Sequence, residues 1–217
     1  MTIRSSNDHS VVSAAVSGRP TRPALRERYD RRRAEVVLEA AHVFAERGYD
    51  QTSVPELAET LGLAAGSLYH YFGAKEQLLR AICDQLMDPL LEQAEALLEE
   101  PREPAEQLRA LVRLWVEHVV AHRDHMLVFQ QERHVIERGA AWRGVRASRK
   151  AFERLVEDAL SRAGSGDSSD PRLALSALLG MVNHTAQWYR PRGRLSAAAI
   201  ADGYVDLLLG RLTQSVP

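Results

Sequence analysis

The chain has 217 residues, enough for one substantial core or for a small domain joined to a medium one. With 45% hydrophobic and 26% charged residues it is excluded by composition from the disordered and membranous classes, and its formal net charge of −1 excludes indiscriminate coating of a polyanion. The balance is uneven along the chain: Arg19, Arg22, Arg26, Arg28, Arg31, Arg32 and Arg33 stand against only Asp8, Glu27 and Asp30, whereas Asp84 to Glu106 is acid-rich, which puts any polyanion contact at the N-terminal end.

Residues 1–26 are rich in Ser, Arg and Pro without a sustained period and predict a flexible basic arm. Val37, Ala40, Ala41 and Phe44 recur at helical spacing and predict a helix from Glu27 to Arg47, closed by Gly48 as a left-handed cap. Ser53-Val-Pro-Glu56 forms a capping box, with Pro55 tolerated in the first turn, and starts a short helix to Leu61. Gly62 breaks it, Leu63 and Ala64 turn, and Ala65 to Phe72 forms a second short helix: the pattern of a helix-turn-helix. A long helix follows from Lys75 to Glu99, with a kink expected at Pro89. Further helices are predicted over Pro104 to His122, Asp124 to Glu137, Ala140 to Arg162, Pro171 to Tyr189 and Ser196 to Thr213. With no strand pattern in competition, the expected fold class is all-α: an arm (1–26), a three-helix unit (27–74) and a larger helical unit (75–217). The single cysteine, Cys83, suits a reducing cytoplasm, and the lack of ~18 uninterrupted apolar residues argues against a membrane span, so the expectation is a soluble cytoplasmic protein.

Within the helix-turn-helix, Leu57, Ala58, Leu61, Leu63, Leu68 and Phe72 would set the interhelical angle against Phe44. That leaves Ser67, Tyr69, His70, Tyr71 and Lys75 to donate to phosphates, with the small Ala65 and Gly66 allowing close approach to base edges. The alternative for Tyr69 and Tyr71 is simple core packing. Arg33 to Leu86 resembles the DNA-binding domain of the tetracycline-repressor (TetR) family, whose pattern runs from Phe-x-x-x-Gly through Thr-Ser/Thr-Val-x-x-Ile/Leu-Ala to Gly-x-Leu-Tyr-x-Tyr/His-Phe-x-x-Lys. The resemblance implies a DNA-binding transcriptional repressor with Thr52, Ala65, Gly66, Ser67, Tyr69, His70, Tyr71 and Lys75 at the double-stranded operator. Ala65 departs from the larger polar residue often found there. The basic arm reads equally as a minor-groove contact or a solvated tail.

Two later stretches, Val128 to Arg133 and Gly180 to Ser196, resemble the subgroup of that family that represses fatty-acid and sterol breakdown and answers to acyl-CoA thioesters. This implies a small-molecule effector, an acyl-CoA, held by Trp115, Phe129, Gln130, Arg133, Met181, Asn183, Trp188 and Arg190. An apolar slot would also draw on Leu111, and arginines for the head group are available at 143, 146 and 149. Trp115 and Trp188 read equally as core or interface aromatics, and Arg190-Pro-Arg-Gly-Arg194 as a tight turn. Apolar faces at Leu175, Leu178, Leu179 and Val182, and at Ile200, Tyr204, Leu207, Leu208 and Leu212, imply a homodimer through a four-helix interface. Such a dimer would read a pseudopalindrome, with ligand binding shifting the Lys75 to Glu99 helix.

No cofactor and no metal is expected. The rival reading is an enzyme, resting on His118, His122 and His125 as metal ligands together with Glu132 or His134, without a nucleophile motif or phosphate loop to support it. A second alternative is a TetR-like protein that senses a different hydrophobic ligand or a protein partner.

Overall fold

The computed structural model describes residues 22–164 and 170–210, and every regular element among them is helical. The elements are α1 (Arg22–Arg47), α2 (Val54–Thr60), α3 (Ala65–Phe72), α4 (Lys75–Glu99), α5 (Pro104–Ala121), α6 (Arg123–Gln131), α7 (Arg133–Arg138), a 3-10 turn (Ala140–Trp142), α8 (Arg143–Ala163), α9 (Pro171–Trp188) and α10 (Ala197–Leu208). None of these helices is long and apolar enough to cross a membrane.

The first three helices close around a shared apolar patch. Val37, Ala40, Ala41 and Phe44 of α1 are buried together with Leu57 and Leu61, Leu68 and Phe72, and Leu78 and Leu79. Local chemistry sets the ends as expected. Gly48 takes φ +87°, a conformation costly for any side chain, and its N–H caps α1 by donating to Phe44 O at 2.9 Å. Ser53 and Glu56 satisfy each other's backbone N–H groups, at 2.9 and 3.3 Å.

Two expectations are corrected. Helix α1 begins at Arg22 rather than Glu27, so the last residues assigned to the arm are helical. The stretch lacks an apolar period, but Tyr29, about one turn further along α1, packs on α3, its ring 5.0 Å from Tyr71 and edge-on to His70 at 5.9 Å. Residues 1–21, including Arg19, lie outside the described residues, as do Leu212 and Thr213. The helix expected over Asp124 to Glu137 is broken at Glu132 (φ −94°, ψ 15°) into α6 and α7.

Helix α5 is the hub of the larger unit and packs against α4, α8, α9 and α10. Arg113 grips Asp202 of α10 through two hydrogen bonds of 2.7 and 2.6 Å, and Arg109 reaches Asp206 at 2.6 Å. Helix α4 runs through Pro89, whose missing N–H leaves a carbonyl of the preceding turn without its helical donor. Three histidines tie the neighbouring helices together beside it. His118 Nε2 donates to Leu86 O at 2.8 Å, His122 Nδ1 donates to His118 O at 3.0 Å, and His125 Nε2 donates to Gln85 Oε1 at 3.3 Å. Each keeps a lone pair on its other ring nitrogen, but among the described residues these three do not fall into a group whose ligand atoms all lie within 4.8 Å of one another.

Burial, followed by the neighbouring His122, pushes both His118 and His125 down to about 4. A lowered folded-state value means that the unfolded chain binds protons first. The stabilisation is therefore complete above the ordinary histidine range near pH 6.5 and is lost as pH falls from there toward 4. Thermal melts between pH 7 and 4 are expected to show a falling midpoint over that window, amounting at most to ~3 kcal/mol for each histidine. H118N and H125N variants should flatten the slope, and a midpoint constant down to pH 4.5 in the parent would disprove the buried neutral pair.

Candidate functional site

The chain has two surfaces to which sequence expectations attach, the exposed side of α3 and the interior between α4, α5, α6, α8 and α9. On α3 the sequence alternates what is packed with what is shown. Leu68 and Phe72 are buried, while Tyr69, at 52% exposed, and His70 face outward. Ser67 is half-buried, and Tyr71 is half-buried against Tyr29. Gly66 is exposed, and an added Cβ there would meet nothing within 4 Å. Internal packing therefore does not demand glycine at 66, whereas a closely approaching partner would. Ala65 opens the helix. Beside α3, Arg28, Tyr29, Arg31 and Arg32 of α1 line an open cleft with Tyr71. Tyr29 is the member that helical periodicity did not single out, since its partner is on another helix.

Two residues of the motif turn inward instead. Thr52 is 3% exposed, and its hydroxyl donates to Gly48 O at 2.8 Å, bracing the turn between α1 and α2. The Lys75 ammonium donates to Tyr49 O and lies 4.1 Å from the centroid of the Tyr49 ring. Burial pulls its pKa down, against the attraction of Asp50 and Glu132. Both side chains are thus committed to positioning the helix-turn-helix. Arg33 is similarly engaged, its guanidinium 4.8 Å over the Phe72 ring.

The interior holds a cavity of about 110 Å³. Its walls are Met87 and Leu90 of α4, Trp115 of α5, Met126, Phe129 and Gln130 of α6, Arg133 of α7, Arg149, Phe152 and Glu153 of α8, and Leu179 and Asn183 of α9. Of the eight expected ligand residues, the structure brings together Trp115, Phe129, Gln130, Arg133 and Asn183. The other three are not in the lining. Met181 is half-buried against the core, Arg190 is exposed, and Trp188 is 44% exposed at the end of α9. Leu111 is fully buried in the core without lining the cavity. Arg146 is spent on Ile136 O and Gly139 O.

Arg149 carries more of the chemistry than the sequence suggested. Its terminal nitrogen donates to Glu137 at 2.7 Å, and Glu153 lies 3.5 Å from Nε, yet the buried Nε makes no hydrogen bond. A buried N–H donor is costly unless something accepts from it, and Arg149 is one of the residues lining the cavity. At the rim, Gln130 Nε2 donates to Asn183 O at 2.7 Å, and Gln187 Nε2 donates to Gln130 Oε1 at 3.1 Å, stitching α6 to α9. Gln130, Arg133, Leu179 and Asn183 also line a second, open cleft with Ser176, Gly180 and His184 on the outer side of α9. The same four residues therefore lie between the inner chamber and a surface groove of mixed polarity.

Comparison with known proteins follows the same division. The model for bacterial regulatory proteins of the tetR family matches residues 37–82, and that for the tetracyclin repressor-like C-terminal domain matches residues 101–212, just over half of the chain. The chain is 28% identical over 200 residues to the HTH-type transcriptional repressor KstR2 of Mycolicibacterium smegmatis, covering 90% of this chain and 95% of that protein. Among solved structures it is similar to the TetR-family regulator PfmR of Thermus thermophilus (32% identity, TM-score 0.72), covering 82% of this chain and 99% of that one. It is also similar to AibR in complex with isovaleryl coenzyme A and operator DNA (31% identity, TM-score 0.70), covering 82% and 98%.

Proposed function

We propose, proceeding from the fact that the chain belongs to the TetR family of bacterial regulatory proteins, that it is a dimeric transcriptional repressor released from its operator by an acyl-CoA thioester. Family membership makes it a DNA-binding regulator rather than an enzyme. The observation that carries the effector assignment is the chamber itself: an apolar pocket whose wall holds the unbonded Arg149 Nε and whose rim carries Arg133. An amphipathic ligand with an anionic end fits that order of surfaces, the acyl chain against Trp115, Phe129 and Phe152 and the polar end passing Arg133 toward the outer groove. The likeness to a CoA-bound regulator supports the same reading.

At about 110 Å³ the chamber is somewhat smaller than a cavity that holds benzene, so it admits a short acyl group as it stands. Met87 and Met126 in its wall are the side chains best able to move for a longer one. A two-fold dimer through α9 and α10 is supported by exposed Leu173, Trp188 and Leu207, with half-buried Leu175, Leu179, Tyr204 and Leu208 beside them. Leu178, Val182 and Ile200, which sequence placed on that face, are used inside the subunit. Recognition of a pseudopalindrome by Ala65, Gly66, Ser67, Tyr69, His70 and Tyr71 follows from pairing two copies of α3. The division into an arm, an operator-binding unit (27–74) and an effector-binding, dimerising unit (75–217) belongs to the same proposal.

The decisive experiment is a gel shift on promoter DNA titrated with acyl-CoA esters and the matching free acids. Release by an ester but not its acid is the expected result; release by acids alone would replace the effector class, and binding that neither disturbs would remove the sensing role. In the same assay R133A should bind operator as the parent does and need at least ~10-fold more ester for release, since one charge-assisted hydrogen bond is lost. An unchanged ester response in R133A would take the rim out of the site.

A further inference from the structure

The junction between the helix-turn-helix and the larger unit carries a group of side chains that the regulator's operator and effector chemistry does not use. Asp50 sits in the turn after α1, Glu132 at the break between α6 and α7, and His134 in the first turn of α7. One ligand atom from each lies within 4.8 Å of the other two. Glu132 is the anomaly among them. It is only 6% exposed, and its Oε2 is buried without any hydrogen-bond partner.

A buried carboxylate oxygen with nothing to accept from is costly, and here a second carboxylate faces it. Burial, with Asp50 adding to it, disfavours the charge on Glu132. Lys75 is attracted to both acids but has given its ammonium to the Tyr49 carbonyl and ring, so it leaves Oε2 unbonded. His118, His122 and His125 offer no comparable set, because their ligand atoms do not all come within 4.8 Å of one another among the described residues.

We propose that Asp50, Glu132 and His134 form a site for a divalent transition-metal ion of the zinc type, bridging the α1–α2 turn to the α6–α7 break. Two carboxylate oxygens and one imidazole nitrogen suit such an ion, with the fourth position left to water. Donors on one tetrahedral ion at about 2.1 Å stand about 3.4 Å apart, so the group must draw in by roughly 1 Å. Asp50 and His134 are exposed and free to do so, while Glu132 is held by its burial. Glu132 precedes Arg133, which lines the chamber, so the ion would tie the operator-binding helices to the segment that carries the effector rim.

The test uses the full-length, tag-free protein stripped with chelator. Isothermal titration with Zn²⁺ is expected to show one strong site per chain, with a rise in melting temperature. D50N and H134A, both at exposed positions where folding is not at stake, should each weaken that site at least ~10-fold while leaving the melting temperature of the stripped protein unchanged. Co²⁺ as a second probe should give the visible absorption of a low-coordinate site in the parent and lose it in H134A. A stripped protein that takes up no Zn²⁺, or whose uptake survives both substitutions, overturns the proposal.

Discussion

Y69A is expected to lose operator affinity by at least ~30-fold while the protein melts within a few degrees of the parent. Tyr69 is more than half exposed on α3, so its removal takes away little internal packing. A contact from this position to a phosphate or base edge is worth about 1–3 kcal/mol, and a two-fold dimer forfeits it in both half-sites. The informative control is T52A, in the same motif. Thr52 is buried and braces the α1–α2 turn through Gly48 O, so T52A should lower the melting temperature, and any loss of binding should follow the loss of fold. Fluorescence anisotropy on a promoter fragment, with circular-dichroism melts of the same preparations, separates the two. Y69A that binds as tightly as the parent would remove the exposed side of α3 from the interface.

W115A should be the most destabilising single truncation in the chamber, at about 3–5 kcal/mol. Trp115 is 2% exposed and meets Phe152 edge-on with ring centroids 5.0 Å apart. Because it already borders a void, the space it vacates joins an existing cavity of about 110 Å³ that the surrounding helices hold open, which leaves less chance of collapse. Urea unfolding should show a lowered midpoint at every protein concentration. If Trp115 were instead an interface aromatic, the loss would vanish as protein concentration rose and would appear as weakened dimerisation. W188A is the natural comparison. Trp188 lies exposed at the end of α9, so its truncation should leave the chamber intact and act, if anywhere, on association.

Under the proposed function, two helices would connect the two surfaces. Helix α4, the expected route, contacts α1 and lines the chamber. Helix α6 does so as well, and packs more extensively on α1. Its Asp124 accepts from His42 of α1 at 2.9 Å, while Phe129 and Gln130 line the chamber. His42 is held above its ordinary pKa mainly by that hydrogen bond. A ligand that displaced Phe129 or Gln130, as proposed, would act on an element that touches α1 directly, and it could shift an operator-binding state only through a different affinity for the two arrangements.

Much of the molecule was legible in the residues alone, where the determining forces are local. Ala65–Phe72 and Lys75–Glu99 fall where apolar spacing and the flanking Gly62 and Gly73 place them. The capping box at Ser53 and Glu56 and the left-handed Gly48 need only neighbours within a turn. The family motif likewise lies within about fifty residues, and it pointed to the family that the comparisons show. What the sequence could not decide was which side of a residue meets which distant helix. Thr52 and Lys75 fit a DNA-contacting motif but are turned inward by Gly48 O and Tyr49, partners whose geometry exists only once α1 and α2 have docked. Trp188 falls outside the chamber for the same reason: periodicity ranks apolarity along one helix, whereas membership of the chamber depends on where α4, α5, α6, α8 and α9 converge. Glu132 is the sharpest case. Its carboxylate is unpartnered only because tertiary packing buries it beside Asp50, eighty-two positions earlier in the chain, and no local pattern encodes a distance between segments so far apart.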